Sequence, residues 1–297
     1  MLVELLAVMA PVLIVAGIGY GWARSGQPYP TDFVTRLVLN VSTPCLVLST
    51  LSRAEVDLGV FSQVALACVI ITGLMAMVGL VLSRLLATDA RVLVPAYMFP
   101  NTGNMGLPIS LYAFGEAGLA LAVAFFVVLS VGHFSVGLML SGAAQSWRRL
   151  LLNPVIISLC VAVGVLLLDL SLPRWLDNTV SLLGSLSIPM MLLTLGVSLG
   201  SIRPRQLGRG FALGGVRMLC GAAIGWAVAL GLDLPPLAQA VLVMQAAMPV
   251  AVFNYLFAVR AGRSPETVAS LVICSTLLSF VLIPLLLVWW LPLSGQG

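Results

Sequence analysis

The sequence predicts an all-α membrane protein: ten transmembrane helices in two inverted five-helix repeats, with helices 4 and 9 broken where they cross. Three observations predict it. Hydrophobic residues make up 61% of the 297 residues and charged residues 8%, against about 25% charged in a soluble globular chain. The apolar residues fall into ten runs, at 2–22, 33–52, 58–82, 92–113, 117–141, 151–170, 177–200, 210–231, 236–258 and 267–290. Each is near the roughly 20 residues that a helix needs to cross a bilayer. Prolines recur at matching places in the two sets of five runs: Pro11 and Pro154, Pro44 and Pro189, Pro100 and Pro249.

The halves share little residue identity besides, so the repeat is a pattern of helix breakers, and prolines are common in membrane helices in any case. An odd number of helices per unit inserts the second copy upside down. Inverted repeats of this kind are a signature of alternating-access transporters.

Charge sets the orientation. All fourteen basic residues are Arg, scattered between apolar runs, so the net charge of +4 does not describe a nucleic-acid surface. With the N-terminus outside, the inner loops carry Arg24, Arg84, Arg91, Arg148, Arg149, Arg203, Arg205, Arg209, Arg260 and Arg263. Arg36 and Arg217 lie near inner helix ends, where they are expected to snorkel to the headgroups or to draw anions into an inner vestibule. Only Arg53 and Arg174 fall outside, a ratio of twelve to two that follows the positive-inside rule. Seven of the ten acidic residues (Glu4, Glu55, Asp57, Glu116, Asp169, Asp177 and Asp233) fall outside as well. The expectation is a multi-pass protein of the cell (inner or plasma) membrane, embedded in the lipid bilayer, with both termini on the outer face. The run at 2–22 carries Glu4 and no early Lys or Arg, so it reads as a retained first helix and not as a cleaved signal.

Several chemistries find no residues. The five cysteines (Cys45, Cys68, Cys160, Cys220 and Cys274) lie in apolar stretches without metal-ligand or redox spacing. No catalytic constellation, nucleotide-binding loop or metal-ligand pair is present, so neither an enzyme nor a primary pump is expected within this chain, and no cofactor. No Asp or Glu sits at the centre of a run, and intramembrane charge is expected to be lacking.

The segment Pro100-Asn101-Thr102-Gly103-Asn104-Met105-Gly106-Leu107-Pro108 crosses the middle of the fourth run. Each proline lacks an N–H and clashes with the carbonyl four residues back, and each glycine costs about 1 kcal/mol against alanine in a helix. Irregular backbone at membrane depth persists only where it is buried in protein or lines a wet cavity. The counterpart is 245–255, with Pro249 at its centre and Gln245, Val250 and Asn254 beside it. Two such breaks related by an in-plane two-fold axis would cross at the midplane. The half-helix after each break then aims its free N–H groups at the crossing, which favours an anion. Pro100, Asn101, Thr102, Asn104, Pro249, Val250 and Asn254 are therefore the expected substrate contacts. The alternative is a structural kink filled by neighbouring side chains.

A third polar cluster, Asn40-Val41-Ser42-Thr43-Pro44-Cys45, lies at the centre of the second run. Thr43 is placed with the substrate contacts, and Asn40, Ser42 and Gln245 with a coupling ion, Na+ or H+. Interhelical hydrogen bonding by these groups is the competing reading. His133 is the only histidine, the one side chain in the spans able to titrate near neutral pH. It is either a carrier of a coupled proton or a satisfied core histidine.

The PNTGNMGLP segment, with Met248-Pro249-Val250-Ala251-Val252-Phe253-Asn254-Tyr255 and the residues that follow, closely resembles the auxin efflux carrier family, which includes plant PIN-FORMED carriers and bacterial permeases for malate, malonate and similar acids. The resemblance extends over the whole chain. It implies a fold similar to sodium–bile-acid symporters, with a scaffold at 1–57 and 145–205 that also forms a homodimer. It implies a mobile transport domain at 58–144 and 206–297 that moves as an elevator. It further implies that Asn101 contacts the substrate carboxylate and that Pro100 and Pro249 are the crossover prolines. Gly103 and Asn104 stand where the plant motif is aliphatic, which implies a smaller and more hydrophilic acid than auxin. The loop between spans five and six is short, unlike the long hydrophilic loop of many plant members.

The function expected is secondary active transport of a small carboxylate. Two other classes remain open at this point. A passive channel would show unsaturable flux, and a metabolite sensor would bind without transport.

Overall fold

The computed structural model describes residues 2–53, 57–140, 152–168, 170 and 172–294. The charges Glu55, Arg148, Arg149 and Asp169 used for orientation lie outside the described residues, as does the 144/145 domain boundary. Among the described residues every regular element is a helix. They are α1 Leu2–Arg24, α2 Thr31–Arg53, α3 Leu58–Leu85, α4 Ala90–Met98, α5 Thr102–Gly137, α6 Pro154–Leu167, α7 Arg174–Ser201, α8 Leu207–Gly231, α9 Pro236–Ala247, α10 Val252–Ala261 and α11 Pro265–Ser294. Seven of these are long and apolar enough to cross a membrane, and shorter apolar helices accompany them.

The prolines act as their chemistry requires. In α2 a π-turn at Val38–Ser42 lies just before Pro44, an extra residue in the turn that absorbs the ring's clash with the carbonyl four residues back. In α7 the helix is interrupted at Leu186, three residues before Pro189. At 36 residues, a straight α5 would measure about 54 Å at 1.5 Å per residue, far more than a bilayer core of about 30 Å. It does not run straight. Gly115 has φ 66° and ψ −163°, a conformation that glycine adopts without Cβ strain. The chain folds back there: a Cβ on Gly103 would come within 3.0 Å of the Phe126 ring, and Phe99 stacks on His133 with centroids 4.3 Å apart.

Packing sorts the helices into two groups. α1 runs parallel to the 187–201 half of α7, with Gly19 against the Leu193 backbone and Gly196 against the Ala16 backbone. Small residues let two helix backbones approach this closely. The 43–53 half of α2 packs on α6 and on the 174–185 half of α7, where Gly184 admits the Leu46 backbone and Arg53 pairs with Asp177 at 2.6 Å. The second group joins α3 to α4 and α5, and α8 to α9 and α11. The groups meet mainly along α5, whose first turn lies against α7 and whose following part lies against α1, α2 and α6. Gly106, at the end of that turn, leaves room for the side chain of Gln245.

Candidate functional site

α4 stops at Met98 and α5 starts at Thr102, while α9 stops at Ala247 and α10 starts at Val252. The two non-helical stretches pair with each other. Pro100 and Val250 form an antiparallel bridge, the Asn101 N–H donates to Pro249 O at 2.7 Å, and the Ala251 N–H donates to Phe99 O at 3.2 Å. Each break thus satisfies backbone groups of the other, as buried polar backbone must be satisfied. Side chains complete the set. The Val250 N–H donates to Ser275 Oγ at 3.0 Å, and Asn254 Nδ2 donates to Phe99 O at 3.0 Å.

Beside the crossing lies a cavity of about 260 Å3. Its wall on one side is Pro100, Asn101, Thr102, Gly103 and Asn104, and on the other Met191, Thr194 and Ser198 of α7, with Val38 and Leu39 of α2. Asn101 is 4% exposed, and its Nδ2 has no hydrogen-bond partner among the described residues. A buried donor left unpaired costs about 1–3 kcal/mol. The first turns of α5 and α10 both begin at the crossing, and N–H groups of a first turn have no intrahelical acceptor. The combination of a free amide donor, two helix N-termini and a small cavity suits a compact anion.

His133 also lines this cavity. It is 6% exposed, stacked on Phe99 and edged by Phe253 and Phe257, with Nε2 3.2 Å from Asn254 Oδ1. Asn254 spends its Nδ2 on the Phe99 carbonyl, which only accepts, so its Oδ1 faces the histidine and the Nε2 of His133 carries the proton. The imidazole thereby orients the amide that ties α10 to the end of α4.

The other sequence-derived residues are placed as follows. Pro249 and Val250 are buried behind the wall, in the paired strands of backbone. Gln245 is buried deeper, with Nε2 donating to Ser110 Oγ at 3.0 Å and Oε1 unpartnered. Ser42 and Thr43 are buried in α2 with no share in the cavity wall, Thr43 Oγ1 lacking a partner. Asn40 faces outward from α2.

Arg217 corrects two expectations. It neither snorkels nor faces a vestibule: it is 0% exposed, the eleventh of the 25 residues of α8, and it is an intramembrane charge where none was expected. Its Nη1 donates to Ala246 O at 2.7 Å and to Met248 O at 2.5 Å, at the end of α9. The signal was present in the sequence, since an ionisable residue inside an apolar run is a functional candidate by default. Ser110, Ser275 and Tyr97, whose hydroxyl donates to Leu213 O at 2.7 Å, carried no such signal.

Comparison with known proteins accounts for nearly the whole chain. It matches the membrane transport protein family over residues 5–143 and 138–287. A transporter of Methanothermobacter thermautotrophicus with no assigned substrate is 27% identical, covering 92% of this chain and 94% of its own length. A Rhizobium meliloti protein provisionally named a malonate transporter is 23% identical, covering 93% and 92%. A Methanocaldococcus jannaschii transporter, again without an assigned substrate, is 22% identical, covering 92% and 95%. These are membrane transporters and not enzymes, and the chain belongs to the membrane transport protein family, that of the auxin efflux carriers.

Proposed function

We propose that this chain is a secondary active transporter of small carboxylates, working by an elevator-type alternating-access mechanism in the cell membrane. The observation that carries the reading is the unpaired Nδ2 of buried Asn101, beside a cavity at the crossing of two helix N-termini. A carboxylate accepts from that amide and from the first-turn N–H groups of α5, so no charged side chain is needed within the 100–104 wall to bind it. Thr102 and Asn104 add polar contacts in the same wall. At about 260 Å3 the cavity lies below the usual range for drug-sized ligands, roughly 300–1,000 Å3, which favours a compact acid. The name of the Rhizobium meliloti relative points to a dicarboxylate of this size.

Ten spans in two inverted repeats follow if the breaks are read as interruptions and the turn at Gly115 as a loop. α4 with 102–114 is then the fourth span, 116–137 belongs to the fifth, and α9 with α10 is the ninth. The packing groups support a division of labour in which α1, α2, α6 and α7 form a static scaffold; that this scaffold also forms a homodimer rests on the family resemblance. The remaining helices carry the crossing as the moving body. The cavity opens beside Thr31 and Asp32 of α2 and beside Ser201 at the end of α7 and Ile202 just past it, ends that the Arg asymmetry assigns to the inner side. This conformation is therefore read as inward-facing, with both termini outside.

The test is uptake of labelled malonate by purified protein in liposomes, with competition by other short mono- and dicarboxylates. Saturable uptake that is displaced by a short carboxylate is expected. Flux that never saturates, carried as single-channel current, would sink the carrier reading in favour of a pore.

A further inference from the structure

We propose that Arg217 is a built-in cation for the second break: its guanidinium occupies the carbonyl set that would otherwise hold a dissolved monovalent cation, and the crossing closes without sodium there. α9 ends at Ala247 inside the protein. The last carbonyls of a helix have no intrahelical partner and sit at the negative end of its dipole. In transporters with broken helices, such carbonyl ends coordinate the coupling cation. Here Ala246 O and Met248 O, on either side of the helix end, converge on one nitrogen, Nη1 of Arg217.

The approach is built into α8. A Cβ on Gly221 would collide with the Ala246 carbonyl and come 3.1 Å from Arg217 Nη1, and one on Gly225 would meet the Ala246 side chain. Glycine at these positions lets α8 lie close enough to α9 for the guanidinium to reach both carbonyls. No carboxylate offsets the charge: the ion pairs among the described residues involve Arg53, Arg205 and Arg263. Nε and Nη2 find no partner, so what the guanidinium gains in this site is the two carbonyls.

The first break is held differently. Phe99 O, just past the end of α4, accepts from the neutral amide of Asn254 and from the Ala251 N–H. One break is thus closed by an amide and its pseudo-symmetric counterpart by a tethered cation. A buried charge is far costlier to place than a buried amide, and packing alone would not select it.

The consequence for coupling rests on the transport function proposed above, whereas cation binding can be read without it. Purified wild type, Arg217→Lys and Arg217→Ala are melted in choline, sodium and methylguanidinium salts at equal ionic strength. Wild type should melt within about 1 °C in sodium and in choline. Arg217→Ala should melt lower than wild type and recover by about 5 °C or more in methylguanidinium, and Arg217→Lys should stay close to wild type. A wild type stabilised by sodium over choline overturns the proposal, as does an Arg217→Ala that melts like wild type or gains nothing from methylguanidinium. Should Arg217→Ala fail to fold, the sodium arm on wild type and the fate of Arg217→Lys decide: a lysine variant that also fails removes the role of the charge. None of these shifts depends on Asn101, so failure of the substrate site leaves them readable.

Discussion

Asn101→Ala has opposite expected effects on the empty and the loaded protein, and that contrast makes it diagnostic. In the empty protein the Nδ2 group is buried and unpaired, an arrangement that costs about 1–3 kcal/mol. Deleting it relieves that cost and forfeits some packing, so the ligand-free melting temperature should hold or rise. In the loaded protein the amide donates to a carboxylate. A hydrogen bond to a charged group contributes about 1.5–3 kcal/mol, and each 1.4 kcal/mol is tenfold in affinity, so the half-saturating substrate concentration should rise about 10- to 150-fold. Asn101→Asp keeps the shape and places a negative charge against the anion. Two unit charges about 4 Å apart repel by roughly 4 kcal/mol at an effective dielectric of 20, so affinity should fall in the order Asn, Ala, Asp. Concentration-dependent uptake in liposomes measures the affinities, and a ligand-free melt in detergent measures stability. An Ala variant that melts several degrees lower yet keeps its affinity within about twofold would show that Asn101 is a packing residue and that the substrate sits elsewhere.

Three further outcomes are expected. Gly196→Ala drives a methyl group into the Ala16 backbone and should cost about 1–3 kcal/mol or more, whereas Gly17→Ala on the same helix pair meets open space and should be neutral or gain about 0.5–1 kcal/mol; melting curves of the two variants decide. His133→Phe keeps a ring to stack on Phe99 but leaves Asn254 Oδ1 without its donor, so it should destabilise by about 1–3 kcal/mol while the pH profile of uptake between about 5 and 8 keeps its wild-type shape. A profile flattened by the substitution would instead make His133 a proton carrier. Arg53→Ala removes an ion pair whose partners are 54% and 30% exposed, and a double-mutant cycle with Asp177→Ala should return no more than about 1 kcal/mol.

The features legible in the sequence were those whose physics is local to the chain. A proline breaks a helix wherever it stands, so Pro100 and Pro249 announced their breaks, and Gly115 lies in the short gap left between the runs 92–113 and 117–141. Depth and direction are not local. The apolar run that starts at 210 puts Arg217 near a helix end, whereas α8 begins at Leu207 and carries the arginine toward its middle. Asn40 and Asn101 look alike as asparagines within apolar runs, yet one faces outward and the other is buried beside the cavity. Only the neighbours of each helix face distinguish them, and those neighbours come from distant parts of the chain.

The symmetry of the prolines also concealed an asymmetry of chemistry. Matching breakers imply matching breaks, and the backbone does pair them almost evenly, with Asn101 N–H to Pro249 O and Ala251 N–H to Phe99 O. The side chains that finish each break do not match. Asn254 of α10 reaches back to the first break, and Arg217 of α8 reaches across to the second. Under the elevator mechanism proposed above, a symmetric backbone would let the crossing sit equivalently toward either side of the membrane. The unequal caps give the two half-helix ends different charge, so the field at the crossing is biased positive from the α9 side. A bias of that sign adds to the two helix N-termini instead of opposing them, and under the carboxylate transport proposed above it would favour the anion although Arg217 takes no part in the cavity wall.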